Sequence, residues 1–303
     1  MMSFFELLKY PALPAPGDTH LPYIMWQGVP LSPLVYFDFI YQIFFLFLVL
    51  QAIWPWAFKG EGLFTWNRFK NTANNVAVGI ICYVVFTLVS LVMYALFLTL
   101  KIPRLDLFDL LGLNTVGRYL LGFIILDFMT FFLHFVFHKV PRLWPVHRVH
   151  HVEHYVDAFT YTKFHPIEAG AYSFLVFLSV YISGCTFLEI LVFLTTAKFF
   201  AVFLHSDWRL PWFIEKYLGI FIMTSGHHLS HHDKSEYYHH ANYGLITTLW
   251  DRLFRSYRPP EKNARYDYGL AGYDGRKTGV WKLLMLKPHQ EDLSQQKPKP
   301  SSG

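Results

Sequence analysis

Residues 119–138 read YLLGFIILDFMTFFLHFVFH, and this stretch decides the fold. At about 1.5 Å per residue its length matches a hydrocarbon core roughly 30 Å thick. The run closes on His134 and His138, four residues apart. On a helix that spacing stacks both imidazoles on one face, a turn apart. A membrane helix that delivers two imidazoles to one interface is therefore the first expectation.

The neighbouring sequence repeats the pattern of long apolar runs joined by polar linkers. One run covers 34–58 and ends in Trp54 and Trp56, aromatic residues of the kind that sit at headgroup level. A second covers 76–100. A longer one, 169–204, exceeds a single span, and its Ser183-Gly184 break predicts a helical hairpin that ends at His205. Charged residues are only 16% of the chain and mean hydropathy is +0.28, well below the roughly 25% charge of soluble domains. The fold class expected is thus an all-α integral membrane protein with about four transmembrane helices. A helical cap on the cytosolic side carries the histidines. Residues 1–33 read as an N-terminal interfacial segment, 34–288 as the membrane-embedded domain, and 289–303 as a polar disordered tail. The N-terminal residues lack the charged-then-apolar order of a cleavable signal peptide.

The net charge of +5 resides largely beside apolar runs, at Lys59, Arg68, Lys70, Lys139, Arg142 and Arg148. That is membrane-flanking charge, and no nucleic-acid partner is expected. Basic residues crowd the histidine side, whereas residues 1–32 hold only Lys9, which places the histidine side in the cytoplasm. Lys101, Arg104 and Arg118 on the other side oppose this, and a re-entrant run would flip the N-terminus. The membrane would be the endoplasmic reticulum in a eukaryote and the inner membrane in a bacterium. Cys82 and Cys185 both fall in apolar runs, so neither a disulfide framework nor a thiolate metal site is available.

Histidine is the chemical theme. HRVHH places His147, His150 and His151 at i, i+3 and i+4, and HLSHH repeats the spacing with His228, His231 and His232. Together with His134 and His138 these are eight imidazoles; His205 is a ninth candidate and His165, in FHPIE, a tenth. A zinc site takes about four ligands, so this number fits two metal ions with open positions. Imidazole alone does not choose among Zn, Cu, Fe and Ni. A two-metal site at a membrane surface suits O₂ activation against an unreactive C–H bond, which favours iron. Asp127, Glu153, Asp157, Glu168, Asp207 and Asp233 are the acids available to orient the rings by accepting their second N–H. His20 and His289 read as ordinary interfacial residues. His154, His239 and His240 lean the same way, and His227, four before His231, stays open. Asp251 is read either as a buttress for a ligand or as a partner of Arg252 or Arg255.

The order HFVFHK, LWPVHRVHH, FHPIEAG, a lone His, HHLSHH and NYGLITTLWDRLF resembles the fatty acid hydroxylase/sterol desaturase superfamily of membrane di-iron oxidases, over about 120–260. The resemblance implies a four-helix membrane bundle with a cytosolic cap, two iron ions, O₂ as co-substrate and an external electron donor. Zinc in place of iron is compatible with purified material. By motif match, His134 and His138 form the first box, His147, His150 and His151 the second, and His228, His231 and His232 the third. His205 matches the lone histidine between boxes two and three, and His165 the FHP that follows box two. The pair His239-His240 and the FRSYR that replaces a glycine-rich turn depart from the family pattern.

No dinucleotide motif or fused haem domain is visible, so electrons are expected from a cytochrome b5-like or ferredoxin-like partner. The substrate expected is a membrane lipid, a sterol or fatty-acyl lipid, hydroxylated or alternatively desaturated at the same metals. A metal transporter predicts ligands inside the spans, yet 34–58 and 76–100 hold no histidine. A zinc hydrolase predicts HExxH, which is absent. Oligomeric state is not legible.

Overall fold

A computed structural model describes residues 66–208, 210–262, 264–270 and 284–285. The run 34–58, the N-terminal segment and the polar tail lie outside the described residues. Among those described the chain is helical. It has no strand, only two isolated bridges, Ile222 with Thr247 and Asp233 with Tyr268.

Four helices are long and apolar enough to span a membrane, over Lys70–Phe97, Thr115–Lys139, Pro166–Ser183 and Leu188–His205. They belong to α1 (Trp66–Leu100), α3 (Thr115–Lys139), α5 (Pro166–Ser183) and α6 (Phe187–His205), with α2 (Leu107–Leu110) in the first connection. α1 begins ten residues before the apolar run does. Its first turns belong to the cap, where Asn71 donates to the Tyr155 carbonyl and Thr72 to Asp157.

Local chemistry starts and stops these helices. The Asn114 side chain accepts from the Gly117 amide at the head of α3. Thr186 and Glu189 form a capping box on α6. α5 ends at Gly184, whose φ of +70° is left-handed and terminates the helix without Cβ strain. The hairpin expected at Ser183-Gly184 is therefore present.

At the far end of the bundle Phe97, Phe108, Val180, Cys185 and Phe193 form an apolar core. Arg118 ties that end together, bonding Glu189 at 2.7 Å and Asp109 at 2.6 Å. At the other end, short helices make the cap: α4 (Trp144–His151), a 3₁₀ turn (Thr160–Thr162), α7 (Trp212–Leu218), α8 (Ser225–His231), α9 (Glu236–His239) and α10 (Leu249–Leu253). They close over the C-terminal ends of α3 and α6 and the N-terminal end of α5.

Candidate metal centre

Four elements supply nine imidazoles to the cap. α3 contributes His134 and His138 from its last turns, α4 contributes His147, His150 and His151, and α6 ends on His205. α8 and its C-cap supply His228, His231 and His232. All nine are buried. They sort into two groups whose ligand atoms lie within 4.8 Å of one another: His134, His138, His147, His151 and His231 in one, and His150, His205, His228 and His232 in the other. The i, i+3, i+4 spacing explains the sorting. In each H-x-x-H-H box the three rings divide between the groups, so α4 and α8 run between both.

The Nε2 atoms point inward. His134 and His231 approach to 3.0 Å, His147 and His151 to 3.1 Å, and His138 and His151 to 3.2 Å. In the second group His150–His205 and His205–His228 are both 2.9 Å apart, and His228–His232 3.2 Å. The Nδ1 atoms point outward, and five of them meet acceptors. His134 donates to the Tyr243 carbonyl at 2.9 Å and His231 to the Ala241 carbonyl at 2.7 Å. His147 donates to the Glu168 carboxylate at 2.8 Å, His150 to the Lys163 carbonyl at 3.1 Å, and His205 to the Ala201 carbonyl at 2.6 Å.

This pattern tests whether a metal fits. A neutral ring that donates from Nδ1 carries a bare lone pair at Nε2. The His134–His231 and His150–His205 pairs thus face lone pair to lone pair about 3 Å apart, an arrangement that needs a cation between them. A proton is opposed by burial and by the neighbouring imidazoles, which push His150, His231 and His232 well below the usual imidazole range; burial holds His147 at about 3. The separations suit nitrogens that each lie about 2.0–2.1 Å from a shared ion. The donor set therefore fits one metal per group.

His165 stands apart from both groups. Its Nδ1 accepts the Ile167 amide as the N-cap of α5, and its Nε2 faces the Leu284 carbonyl at 3.1 Å. Pro166 forces the preceding residue into an extended conformation, which turns the ring back onto the helix start. His227 is likewise held elsewhere, between Thr224 and the Tyr257 hydroxyl. His239 packs on the rings of Trp144, His138 and His151 at 4.9, 5.6 and 5.0 Å without joining either group.

Of the six acids considered for ring orientation, Glu168 alone bonds one of the nine rings among the described contacts. Glu153 acts at one remove: it pairs with Lys163, whose carbonyl takes the His150 proton. Asp251 is a buttress, also at one remove. Its carboxylate accepts the Tyr243 and Gly244 amides at 2.9 and 2.7 Å, and so fixes the Tyr243 carbonyl on His134. Asn242, at a left-handed φ of 59°, turns the chain so that the carbonyls of Ala241 and Tyr243 reach two different rings. Those main-chain acceptors had no signal in the sequence beyond the Asn-Tyr-Gly turn.

The fold and site together define a multi-span helical membrane protein with two buried histidine clusters at its helix ends. Comparison with known proteins then shows what the chain is similar to. Residues 119–256 match the family model described as fatty acid hydroxylase. Alkylglycerol monooxygenase of Caenorhabditis elegans is 24% identical over 178 residues, 55% of this chain and 34% of that protein. Alkylglycerol monooxygenase of Xenopus tropicalis is 23% identical over 233 residues, 74% of this chain and 48% of that protein. Human lathosterol oxidase is 27% identical over 179 residues, 57% of each chain. The matches therefore span about a third to somewhat over half of these relatives' length. No solved structure matches significantly. The domain match and these relatives make the chain similar to the fatty acid hydroxylase/sterol desaturase superfamily over 119–256.

Proposed function

We propose that the protein is a di-iron oxidoreductase that uses O₂ to hydroxylate an unactivated C–H bond of a membrane lipid. The inward convergence of nine Nε2 atoms in two groups carries this reading. The monooxygenase relatives support its oxidative chemistry. One oxygen atom would enter the C–H bond and the other leave as water, with two electrons from an external donor and two protons from solvent. The metals, when bound, would supply the O₂-activating redox chemistry.

The chain's own residues do the rest. His134, His138, His147, His151 and His231 would hold one ion, and His150, His205, His228 and His232 the other. Glu168 and the carbonyls of Lys163, Ala201, Ala241 and Tyr243 fix the tautomers, so each Nε2 keeps its lone pair for metal. The cap excludes water. Between α3, α5 and α6 lies a small apolar cavity lined by Ile125, Met129, Thr130, Tyr172, Val176 and Leu194. Electrons would come from a cytochrome b5-like or ferredoxin-like partner at the basic, cytoplasmic histidine side.

The lathosterol oxidase relatives favour a second reading, dehydrogenation of a sterol or acyl lipid at the same metals. Lipidomics of one host expressing the wild-type chain or His150→Ala, fed sterols and acyl lipids, separates the two. A His150-dependent gain of one oxygen establishes hydroxylation, and a loss of two hydrogens establishes desaturation. No His150-dependent species, with metal still bound, overturns lipid oxidation.

A further inference from the structure

Asp127 is a buried carboxylate in the middle of a membrane helix, and its donors come from the cap. It accepts the amides of Ile246 at 3.1 Å and Thr247 at 3.2 Å, the Thr247 hydroxyl, and the Trp250 indole N–H at 3.0 Å. The depth of these contacts follows from α3 itself. Arg118, ion-paired to Asp109 and Glu189, marks the far interface. Asp127 lies nine residues further along α3, about 13–14 Å at 1.5 Å per residue. A hydrocarbon core of about 30 Å measured from Arg118 reaches roughly to residue 138. The cap segment bonded to Asp127 therefore hangs beside α3 near the middle of that core.

We propose that the paired segments 218–222 and 243–254 form a re-entrant, membrane-embedded element on the flank of α3, and that Ile220, Phe221, Leu249 and Leu253 contact lipid acyl chains. These four side chains are exposed, Phe221 at 71% and Leu253 at 66%, although they lie outside every span. Aromatic contacts keep the element at depth: Trp250 packs on Phe128 at 4.9 Å, and Phe254 on Phe131 and Phe135 at 5.2 and 5.5 Å.

Irregular backbone survives at membrane depth only where its polar groups are satisfied by protein. Here the amides of Tyr243 and Gly244 bond Asp251, those of Ile246 and Thr247 bond Asp127, that of Thr248 bonds the Phe221 carbonyl, and that of Leu249 bonds the Thr247 hydroxyl. Arg252, the cation on α10, folds back over the Tyr257 ring at 3.8 Å and bonds the Thr248 hydroxyl, as a cation leaving hydrocarbon does.

The inference rests on the four spans crossing a bilayer and is independent of the proposed chemistry. The test uses the full chain with Cys82→Ala and Cys185→Ala, reconstituted in phosphatidylcholine vesicles. Single nitroxide-labelled cysteines replace Phe221 or Leu253. Ile124→Cys, exposed on α3 and well inside the core, is the lipid reference, and Tyr237→Cys, near Arg258 in the cap, the water reference. The expected result is a ratio of oxygen to nickel-chelate collisions at 221 and 253 that matches the one at 124. A ratio that matches 237 overturns the proposal, and a water-like value at 124 overturns the spans themselves. Should the variants misfold, the unmodified protein is crosslinked to a phospholipid with a photoactivatable acyl chain. Label on 218–222 and 249–254 supports the element; label confined to the four spans refutes it.

Discussion

At the scale of single residues, the site works by a division of labour within each imidazole: Nε2 faces the cluster and Nδ1 faces an orienting acceptor. Among the described residues Glu168 is the one carboxyl group in direct contact with a ligand ring, so Glu168→Gln is expected to weaken metal binding by about 10–100-fold. Metal content against a graded chelator measures it, with helical circular dichroism unchanged. His165→Ala separates ligand from cap. Both nitrogens of His165 are engaged away from the clusters, so the variant should keep its full metal complement by mass spectrometry and lose about 1 kcal/mol of stability from the missing N-cap. A drop in metal content equal to that of His150→Ala would make His165 a ligand.

At the scale of elements, two turns hold the helices where the site needs them. Gly184 closes α5 at φ +70°, and a Cβ there would stand 2.4 Å from the Asp106 carboxylate. Gly184→Ala is expected to destabilise the hairpin by more than about 1 kcal/mol, read as a lower Tm in detergent. Asp251 holds the other turn. Asp251→Ala would strand the buried Tyr243 and Gly244 amides, at a cost of about 1–3 kcal/mol each. It would also loosen the carbonyl on His134, so Tm and metal content should fall together. A fall in Tm alone would confine Asp251 to a structural role.

At the scale of the whole molecule, the buried imidazoles make the metal-free protein acid-sensitive. Burial holds His147, His227 and His239 at about 3, against 6.5 for an unfolded histidine. Below pH 6.5 the unfolded chain takes up protons that the folded chain refuses. The stability present above pH 6.5 is therefore lost progressively as pH falls toward 3. At pH 5.5 the loss is about 1 kcal/mol for each such histidine. Thermal unfolding of metal-free protein at pH 7.5 and 5.5 should show a lower Tm at the acid value, and an unchanged Tm would contradict the burial.

The linear pattern by itself determined the helical membrane class, the hairpin at Ser183-Gly184 and the two H-x-x-H-H boxes, because each depends on residues within a few turns of one another. Hydropathy over about 20 residues sets a span, and i, i+3, i+4 spacing sets a helix face. Only the tertiary structure decided how the nine rings divide into groups of five and four, since each box serves both groups. It also decided that His165 caps a helix and that Asp127 anchors the 246–250 turn rather than a ligand ring. The orienting acceptors are mostly main-chain carbonyls. Every residue carries one, so which carbonyl meets which ring is a matter of chain path, and composition and spacing hold no trace of it.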